Sequence, residues 1–378
     1  MTVLRVDTLA GIGSTGAGTV LDGSFSFTSQ NYVILPKGTT NDRVGVGSTA
    51  GALRYNTDSN KVELWDGSQW VEVQSSRPDL NGGARGLFGG GQSANTNTID
   101  YITISSTGNA TDFGDLTQAR LSPEAVASST RGVIMGGYPY PGATVGTIET
   151  VTIASTGNAV DSNFDLSAGR TYFSALSNST RGISAGGDPS GAGLSTLNIL
   201  EYITIASLGN AVDFGDLTQA RKYCASCASP TRGVTAGGST PSATNIIDFI
   251  TISTLGNSTD FGDLTQAREN LFSCSNPIRG LFSAGYVAPG SSNTIDYITI
   301  STIGNATDFG DLTVAREGGS ACSSSTRGVF ADGTVTPTGN VNVIDYVTIA
   351  TQGNAVDFGD RTEAKNKIFG CSNAHGGL

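Results

Sequence analysis

The sequence repeats one pattern six times between Arg85 and its last residue, Leu378. Each copy opens with an Arg-Gly pair, and successive pairs begin 46, 50, 51, 47 and 48 residues apart. The pairs begin at Arg85, Arg131, Arg181, Arg232, Arg279 and Arg327. A period of this length matches a four-stranded propeller blade and not a helical repeat. The repeat therefore predicts an architecture of many short β-strands.

Each copy reads as four short strands and one variable loop. The Arg-Gly pair opens an apolar strand that ends in a glycine pair suited to a turn. After the loop, the consensus IDYITI is β-branched with a period of two and predicts the clearest strand. A Gly-Asn turn, such as Gly304-Asn305, leads into the short element DFGDLT. In five copies a further strand then runs from a basic residue to the next Arg-Gly, eleven residues on.

The first copy lacks this last strand before it, and the end of the chain supplies one. Lys365 stands at the basic position, and Gly376 lies eleven residues after it. We therefore expect the C-terminal strand to pair with the first copy, which removes the open sheet edges. The expected fold is all-β, a six-bladed β-propeller closed by its C-terminal strand.

The residues before Arg85 do not share the repeat. They contain a predicted three-stranded meander whose apolar bulk comes from Tyr55, Trp65 and Trp70. The predicted strands are Ala52–Asn56, Lys61–Trp65 and Gln69–Val73. A Pro- and Gly-containing stretch follows. We therefore predict an N-terminal β module at residues 1–76, a linker at 77–84 and the propeller at 85–378.

Composition argues against several function classes. The chain has a net charge of −11, and an acidic surface repels phosphate backbones, so no nucleic-acid partner is expected. No apolar run approaches about 18 residues and no basic-then-apolar leader is present, so we expect neither membrane insertion nor a signal peptide. Four of the five cysteines occupy a position that other copies fill with Val126 and Leu176, which predicts buried, free thiols.

Two charged positions keep their sign in every copy and predict one structural ion pair per unit. The basic residues are Arg120, Arg170, Arg221, Arg268, Arg316 and Lys365. The acidic residues are Asp100, Glu149, Glu201, Asp248, Asp296 and Asp345. The alternative, a ring of six carboxylates that bind a ligand, is disfavoured because an arginine beside each acid neutralises it.

The sequence offers little for catalysis. Its only histidine is His375, so neither a Ser-His-Asp triad nor a histidine-rich metal centre can be built. The paired acids of DFGD, such as Asp112 and Asp115, favour turn stabilisation, with weak calcium binding as the alternative. We predict no catalytic residue, no metal and no cofactor.

The loops between the glycine pair and IDYITI differ from copy to copy in both length and content, and we expect them on one face of a propeller. These loops are Gln92–Thr98, Tyr138–Thr147, Asp188–Ile199, Ser239–Ile246, Tyr286–Thr294 and Thr334–Val343. The candidate receptor-binding residues are Tyr138, Tyr140, Asp188 and Tyr286, because tyrosine rings stack on sugars and polar loop groups can form hydrogen bonds with sugar hydroxyls. The alternative is that these loops are polar turns whose sequence can change without affecting function.

The order of these motifs resembles the kelch repeat of six- and seven-bladed propellers, with Phe where kelch motifs usually carry Trp. The near-identity of the copies and the segment ALRYNT…ELWDGSQWVEV also resemble virion structural proteins of tailed bacteriophages, especially phages of marine cyanobacteria. This resemblance implies a non-enzymatic tail-fibre, collar or capsid-decoration protein, made in the host cytoplasm and located on the virion.

The same resemblance implies the partners. Residues 1–76 would contact other virion proteins, and the propeller would adhere to a host-surface glycan or protein. The resemblance further implies a homo-oligomer, with a trimer as one form. The alternative functions are a polysaccharide-degrading enzyme of the virion and a kelch-like protein-binding scaffold.

Overall fold

The structure is a computed structural model that describes residues 35–43, 50–59, 61–73, 84–92, 96–191 and 195–378. The chain divides into two compact units, Met1–Arg77 and Pro78–Leu378. Among the described residues, both units are built from β-strands, with one 3₁₀ turn at Thr40–Asp42. In this part of the chain, no helix has the length and apolar character needed to cross a membrane. The predicted linker 77–84 lies outside the described residues, except for Ala84.

The first unit contains one four-stranded sheet in the order β1-β2-β3-β4. Its strands are β1 (Lys37–Gly38), β2 (Leu53–Asn56), β3 (Lys61–Trp65) and β4 (Trp70–Glu72). The predicted meander is therefore confirmed to within a residue or two at the strand ends, and the short parallel strand β1 joins it.

The buried side chains of this sheet are polar, which the sequence did not predict. Arg54 and Glu63 are directly opposite each other on β2 and β3, and both are buried. Glu63 accepts hydrogen bonds from Arg43 and from Asn56, and Arg54 lies 3.7 Å from the same carboxylate. Burial of a carboxylate requires such partners, so three donors around Glu63 replace the apolar centre expected of the meander.

The second unit contains six four-stranded antiparallel sheets, which we number I to VI. Sheet I combines β5 (Arg85–Gly89), β6 (Thr98–Thr103) and β7 (Thr111–Asp115) with the C-terminal β30 (Phe369–Ser372). Sheet II contains β8 (Glu124–Ala127), β9 (Arg131–Met135), β10 (Thr147–Thr152) and β11 (Val160–Asp165). Sheet III contains β12 (Ser174–Ser177), β13 (Arg181–Ala185), β14 (Ile199–Thr204) and β15 (Val212–Asp216).

The remaining three sheets repeat this plan. Sheet IV contains β16 (Ala225–Ala228), β17 (Arg232–Ala236), β18 (Ile246–Thr251) and β19 (Thr259–Asp263). Sheet V contains β20 (Phe272–Ser275), β21 (Arg279–Ser283), β24 (Thr294–Thr299) and β25 (Thr307–Asp311), with the hairpin β22 (Tyr286–Val287) and β23 (Gly290–Ser291) in its loop. Sheet VI contains β26 (Ser320–Ser323), β27 (Arg327–Val335), β28 (Gly339–Thr348) and β29 (Val356–Asp360).

The C-terminal strand pairs with the first copy of the repeat. In this antiparallel pair Phe369 is opposite Gly89 and Ser372 is opposite Gly86. The predicted pairing is therefore confirmed. Two predicted loops differ, because both contain strands: β22 and β23 pair within the range 286–294, and β27 and β28 continue into the range 334–343 as a long hairpin.

Each sheet has one edge strand that we call its first strand; the first strands of sheets II to VI and of sheet I are β8, β12, β16, β20, β26 and β30. Each of these strands contacts the next in this order, and β30 contacts β8. Serine hydroxyls join several of these neighbours: Ser275 Oγ donates to the Ala228 carbonyl and Ser372 Oγ to the Ser323 carbonyl. The contacts among the six sheets therefore return to their starting point.

The apolar core lies between neighbouring sheets. In five of the six Arg-Gly pairs, the glycine faces a side chain of the preceding sheet so closely that no Cβ fits; the exception is Gly132, where a Cβ would lie 3.5 Å from Cys371 Sγ. A Cβ on Gly280 would lie 2.7 Å from Cys227 Sγ, and one on Gly328 would lie 2.7 Å from Cys274 Sγ. The predicted structural role of the cysteines is confirmed, since all five are free and buried. Burial raises the pKa of the Cys227 thiol to about 12.

Candidate functional site

Buried ion pairs join the end of one repeat copy to the IDYITI strand of the next sheet. Arg120, Arg221, Arg268 and Arg316 approach Glu149, Asp248, Asp296 and Asp345 at 2.8–3.0 Å, and Arg170 contacts Glu201. All ten side chains are nearly inaccessible to water. Each acid is therefore neutralised inside the protein, and these residues act in architecture.

The junction between sheets VI and I departs from this rule. Asp100 contacts Arg361 at 2.9 Å and not Lys365, whose ammonium lies 3.2 Å from Glu363. Arg361 stands where the other copies carry leucine, and it also contacts Asp332 at 2.6 Å, where the other copies carry Gly or Ala. The copy with lysine at the basic position therefore also carries an arginine and an aspartate that the other copies lack, and these two residues form a buried cluster with Asp100.

Six residues with left-handed backbone surround one end of the first strands, and we call them the central ring. Each lies two residues after the basic position, and φ ranges from 44° to 65°. The central ring consists of Ser122, Tyr172, Tyr223, Asn270, Gly318 and Lys367. Five backbone hydrogen bonds link these residues, including Ser122 N–H to the Lys367 carbonyl at 2.8 Å. The ring therefore joins the C-terminal segment to the second sheet.

All six variable loops begin beside the central ring. The first residue of each loop is hydrogen-bonded to the residue that precedes a central-ring residue. The pairs are Gln92–Asn366, Tyr138–Leu121, Asp188–Thr171, Ser239–Lys222, Tyr286–Glu269 and Thr334–Glu317. The chain segments that vary most from copy to copy therefore lie around one small central area.

The four candidate receptor-binding residues differ in accessibility. Tyr140 is 60% exposed and its ring contacts that of Tyr138, with centroids 6.0 Å apart. Tyr138 and Tyr286 are half-buried, and the backbone of each pairs with a neighbouring segment. Asp188 is fully buried, and its carboxylate accepts hydrogen bonds from the backbone N–H and the hydroxyl of Ser190. Tyr140 is thus the candidate that the structure leaves most accessible, whereas Asp188 stabilises a turn.

The central ring encloses a cavity of about 40 Å³. The Tyr172 and Tyr223 rings line it and contact each other, with centroids 4.5 Å apart. Lys367 Nζ lies 5.2 Å from the Tyr172 ring centre and 3.5 Å from its hydroxyl. Glu124, at the start of β8, lines the same cavity, and desolvation raises the pKa of its carboxyl to about 8. The cavity thus combines aromatic faces, an ammonium group and a carboxyl group.

A second cavity, of about 60 Å³, is lined mainly by small residues of the first strands. His375 lies in its wall and is bonded on both ring nitrogens. Gly377 N–H donates to Nδ1 at 3.1 Å, so Nε2 carries the proton and donates to the Ala127 carbonyl at 2.8 Å. Burial lowers the pKa of His375. The histidine therefore fastens the C-terminal segment to β8.

The described residues contain no group of three or more His, Cys, Asp or Glu side chains that could hold a metal ion. No protein-family model matches the sequence, and no curated protein matches it significantly.

The central ring and Glu124 were missed by sequence reasoning. A signal was nonetheless present: the position two residues after the basic residue carries Ser, Tyr, Tyr, Asn, Gly and Lys inside a segment whose length is otherwise fixed. Variation at a fixed spacing marks a site that faces a shared opening, because core positions of a repeat keep their chemical type.

Proposed function

We propose that residues 85–378 form a closed six-bladed kelch-like propeller, and that the protein is a non-enzymatic structural protein of a tailed-phage virion that displays this propeller for adhesion to a host surface. The cyclic contacts among the first strands support the closed form. So does the pairing of β30 with β5, which leaves no unpaired first copy. A closed propeller is a rigid scaffold on which loops can vary.

One observation carries the adhesion role: six loops of different length and content start from equivalent positions around the central ring. The strands they connect are nearly identical from copy to copy. Such a division between a constant frame and variable loops is typical of recognition surfaces. The exposed Tyr140, with its rigid aromatic ring, suits contact with a sugar or protein at low entropic cost.

The virion location rests on the sequence resemblance to phage structural proteins. In this proposal residues 1–76 attach the protein to other virion components, and a homo-oligomer, with a trimer as one form, presents several propellers together. Several weak sites on one particle would raise the overall affinity for a host surface by avidity.

Cryo-electron microscopy of intact virions tests the location. We expect density for the six-sheet unit on the exterior of the tail, collar or capsid, outside the layer that residues 1–76 contact. Virions without this chain on their exterior would overturn the proposal. Binding of the purified full-length protein to host cells, reduced by Tyr140→Ala, tests the adhesion role, and a protein that does not bind host cells would overturn that part.

A further inference from the structure

Bulky residues in the central ring adopt a backbone conformation that favours glycine. Tyr172, Tyr223 and Lys367 have φ of 56–59°, a region that side chains with a Cβ rarely enter. Gly318 shows that glycine fits the same position, and the chain uses glycine freely at other left-handed turns. Strain of this kind, gathered at one opening, is typical of a functional site.

The two charged side chains that line the central-ring cavity, Glu124 and Lys367, form no ion pair with each other, although Lys367 donates to the Tyr172 hydroxyl at 3.5 Å. Glu124 forms no ion pair within 4.0 Å with any described residue, and neither does Lys367, although both line the same cavity. Asn270 donates to Glu317, and its amide oxygen remains an acceptor. Donors and acceptors therefore surround one small space beside two tyrosine rings.

We propose that the central ring is a sugar-binding site that takes one neutral, hydroxyl-rich pyranose at the end of a glycan chain. This inference rests on the proposed adhesion function, since it names the ligand class for the same face. The pyranose ring would lie against the exposed parts of Tyr172 and Tyr223. A hydroxyl group would enter the cavity, accept a hydrogen bond from Lys367 and interact with Glu124.

The size of the cavity fits this arrangement. A volume of about 40 Å³ holds a hydroxymethyl group or a few ordered waters, but not a whole sugar ring. The ring must therefore remain outside, where aromatic faces are available. A sugar hydroxyl both donates and accepts hydrogen bonds, so it can satisfy an ammonium and a carboxyl group at once.

The charges at the opening argue against a charged ligand. Lys222 Nζ lies 5.5 Å from the Tyr223 ring centre, so two ammonium groups flank the tyrosine pair and repel a cationic ligand. Glu269 and Glu317 lie in the same region and repel an anionic ligand. A neutral ligand avoids both penalties.

The test measures binding of the methyl glycosides of glucose, galactose, mannose and N-acetylglucosamine to the full-length protein by saturation-transfer NMR. We expect at least one glycoside to bind the wild type. Tyr223→Gly removes the aromatic ring while matching the left-handed backbone, so this variant is expected to fold. Tyr223→Gly and Glu124→Ala should each lower the affinity about tenfold or more. Ile278→Ala is the control and should bind the glycoside normally, because Ile278 is 65% exposed in the turn between β20 and β21 and lines neither cavity. The loop variant Tyr140→Ala is measured beside it.

The outcomes separate this inference from the proposed function. Failure of every glycoside to bind the wild type, or unchanged binding by Tyr223→Gly and Glu124→Ala with native melting temperatures, overturns the sugar site. Loss of binding in Tyr140→Ala alone moves recognition to the loops, which overturns the inference and leaves adhesion standing. Sugar binding by a protein that is absent from virions keeps the inference and overturns the proposed function.

Discussion

The Arg361 guanidinium lies 2.9 Å from the Asp100 carboxylate, although 261 residues separate the two in the chain. This contact joins sheet VI to sheet I, the two sheets that contain the end and the beginning of the repeat region. The other five junctions use an arginine four residues further along, where this copy has Lys365. Three linked replacements therefore mark the junction at which the order of the sheets returns to its start.

Arg361→Leu should lower the free energy of unfolding by about 3–5 kcal/mol, because Asp100 and Asp332 would lose their buried partner. The triple variant Arg361→Leu, Asp332→Gly, Lys365→Arg recreates the consensus of the other junctions and should recover most of that loss. Urea denaturation gives the free energy of unfolding of both variants and of the wild type.

Lys61→Leu serves as the control for removal of a charge, because Lys61 is exposed and its contact with Glu72 is long, at 3.8 Å. It should change the free energy by about 0.5 kcal/mol or less. A triple variant no more stable than Arg361→Leu would show that the three replacements are independent.

The arginine of the Arg-Gly pair is expected to hold each sheet to the next. Arg232 donates to the Ile300 carbonyl at 2.9 Å, and Arg327 donates to the Ile104 carbonyl at 3.0 Å, each over an aromatic ring of its own sheet. Arg232→Ala and Arg327→Ala should each cost about 1–3 kcal/mol. Thermal and urea unfolding compare them, and a negligible cost for Arg327→Ala alone would mean that sheets VI and I are not joined in solution.

Gly280 and Cys227 should show strong coupling in a double-mutant cycle. Gly280→Ala places a Cβ 2.7 Å from Cys227 Sγ, and such overpacking costs about 1–3 kcal/mol. Cys227→Ala opens space, so the double variant should lose less stability than the sum of the single changes.

Gly290→Ala is the matched control for this cycle, because a Cβ at that position meets no atom within 4 Å. Urea denaturation of the variants gives the coupling free energy. Additive effects would contradict the close contact between sheets IV and V.

Glu124 should make stability depend on pH. Its carboxyl has an unfolded pKa near 4.5, and desolvation raises the folded pKa to about 8. Between these values the folded state binds the proton more tightly, so the free energy of unfolding of the wild type falls as pH rises. Glu124→Gln removes this slope, so its advantage over the wild type should grow from pH 4.5 to pH 8 and then stay constant. Denaturation across pH 4–9 measures this, and parallel curves would exclude a desolvated Glu124.

Much of the second unit could be predicted from the sequence, because a repeat displays its strand pattern six times. The IDYITI strands, the Gly-Asn turns and the pairing of β30 with β5 all followed from spacing and side-chain alternation. The pairing of Asp100 with Arg361 instead of Lys365 could not be predicted, because it depends on how far each side chain reaches across a junction between sheets.

The site was harder to predict for a conformational reason. Residues such as Tyr172 and Lys367 look like ordinary strand or loop residues until their left-handed φ and shared cavity are seen. The burial of Asp188 was likewise invisible, since its turn with Ser190 forms only when the loop folds back on Thr171. Sequence variation indicated which loops to inspect, but the opening they surround emerged from backbone geometry.

Hydrogen–deuterium exchange of the full-length protein tests the closed six-sheet arrangement most directly. If β30 closes the set of sheets, amides of β5 and β30 should exchange as slowly as those of the interior strands β13 and β12, and all should become exposed in one cooperative transition. Rapid exchange of β5 and β30 while β12 and β13 stay protected would contradict closure, and with it the shared face on which recognition is proposed.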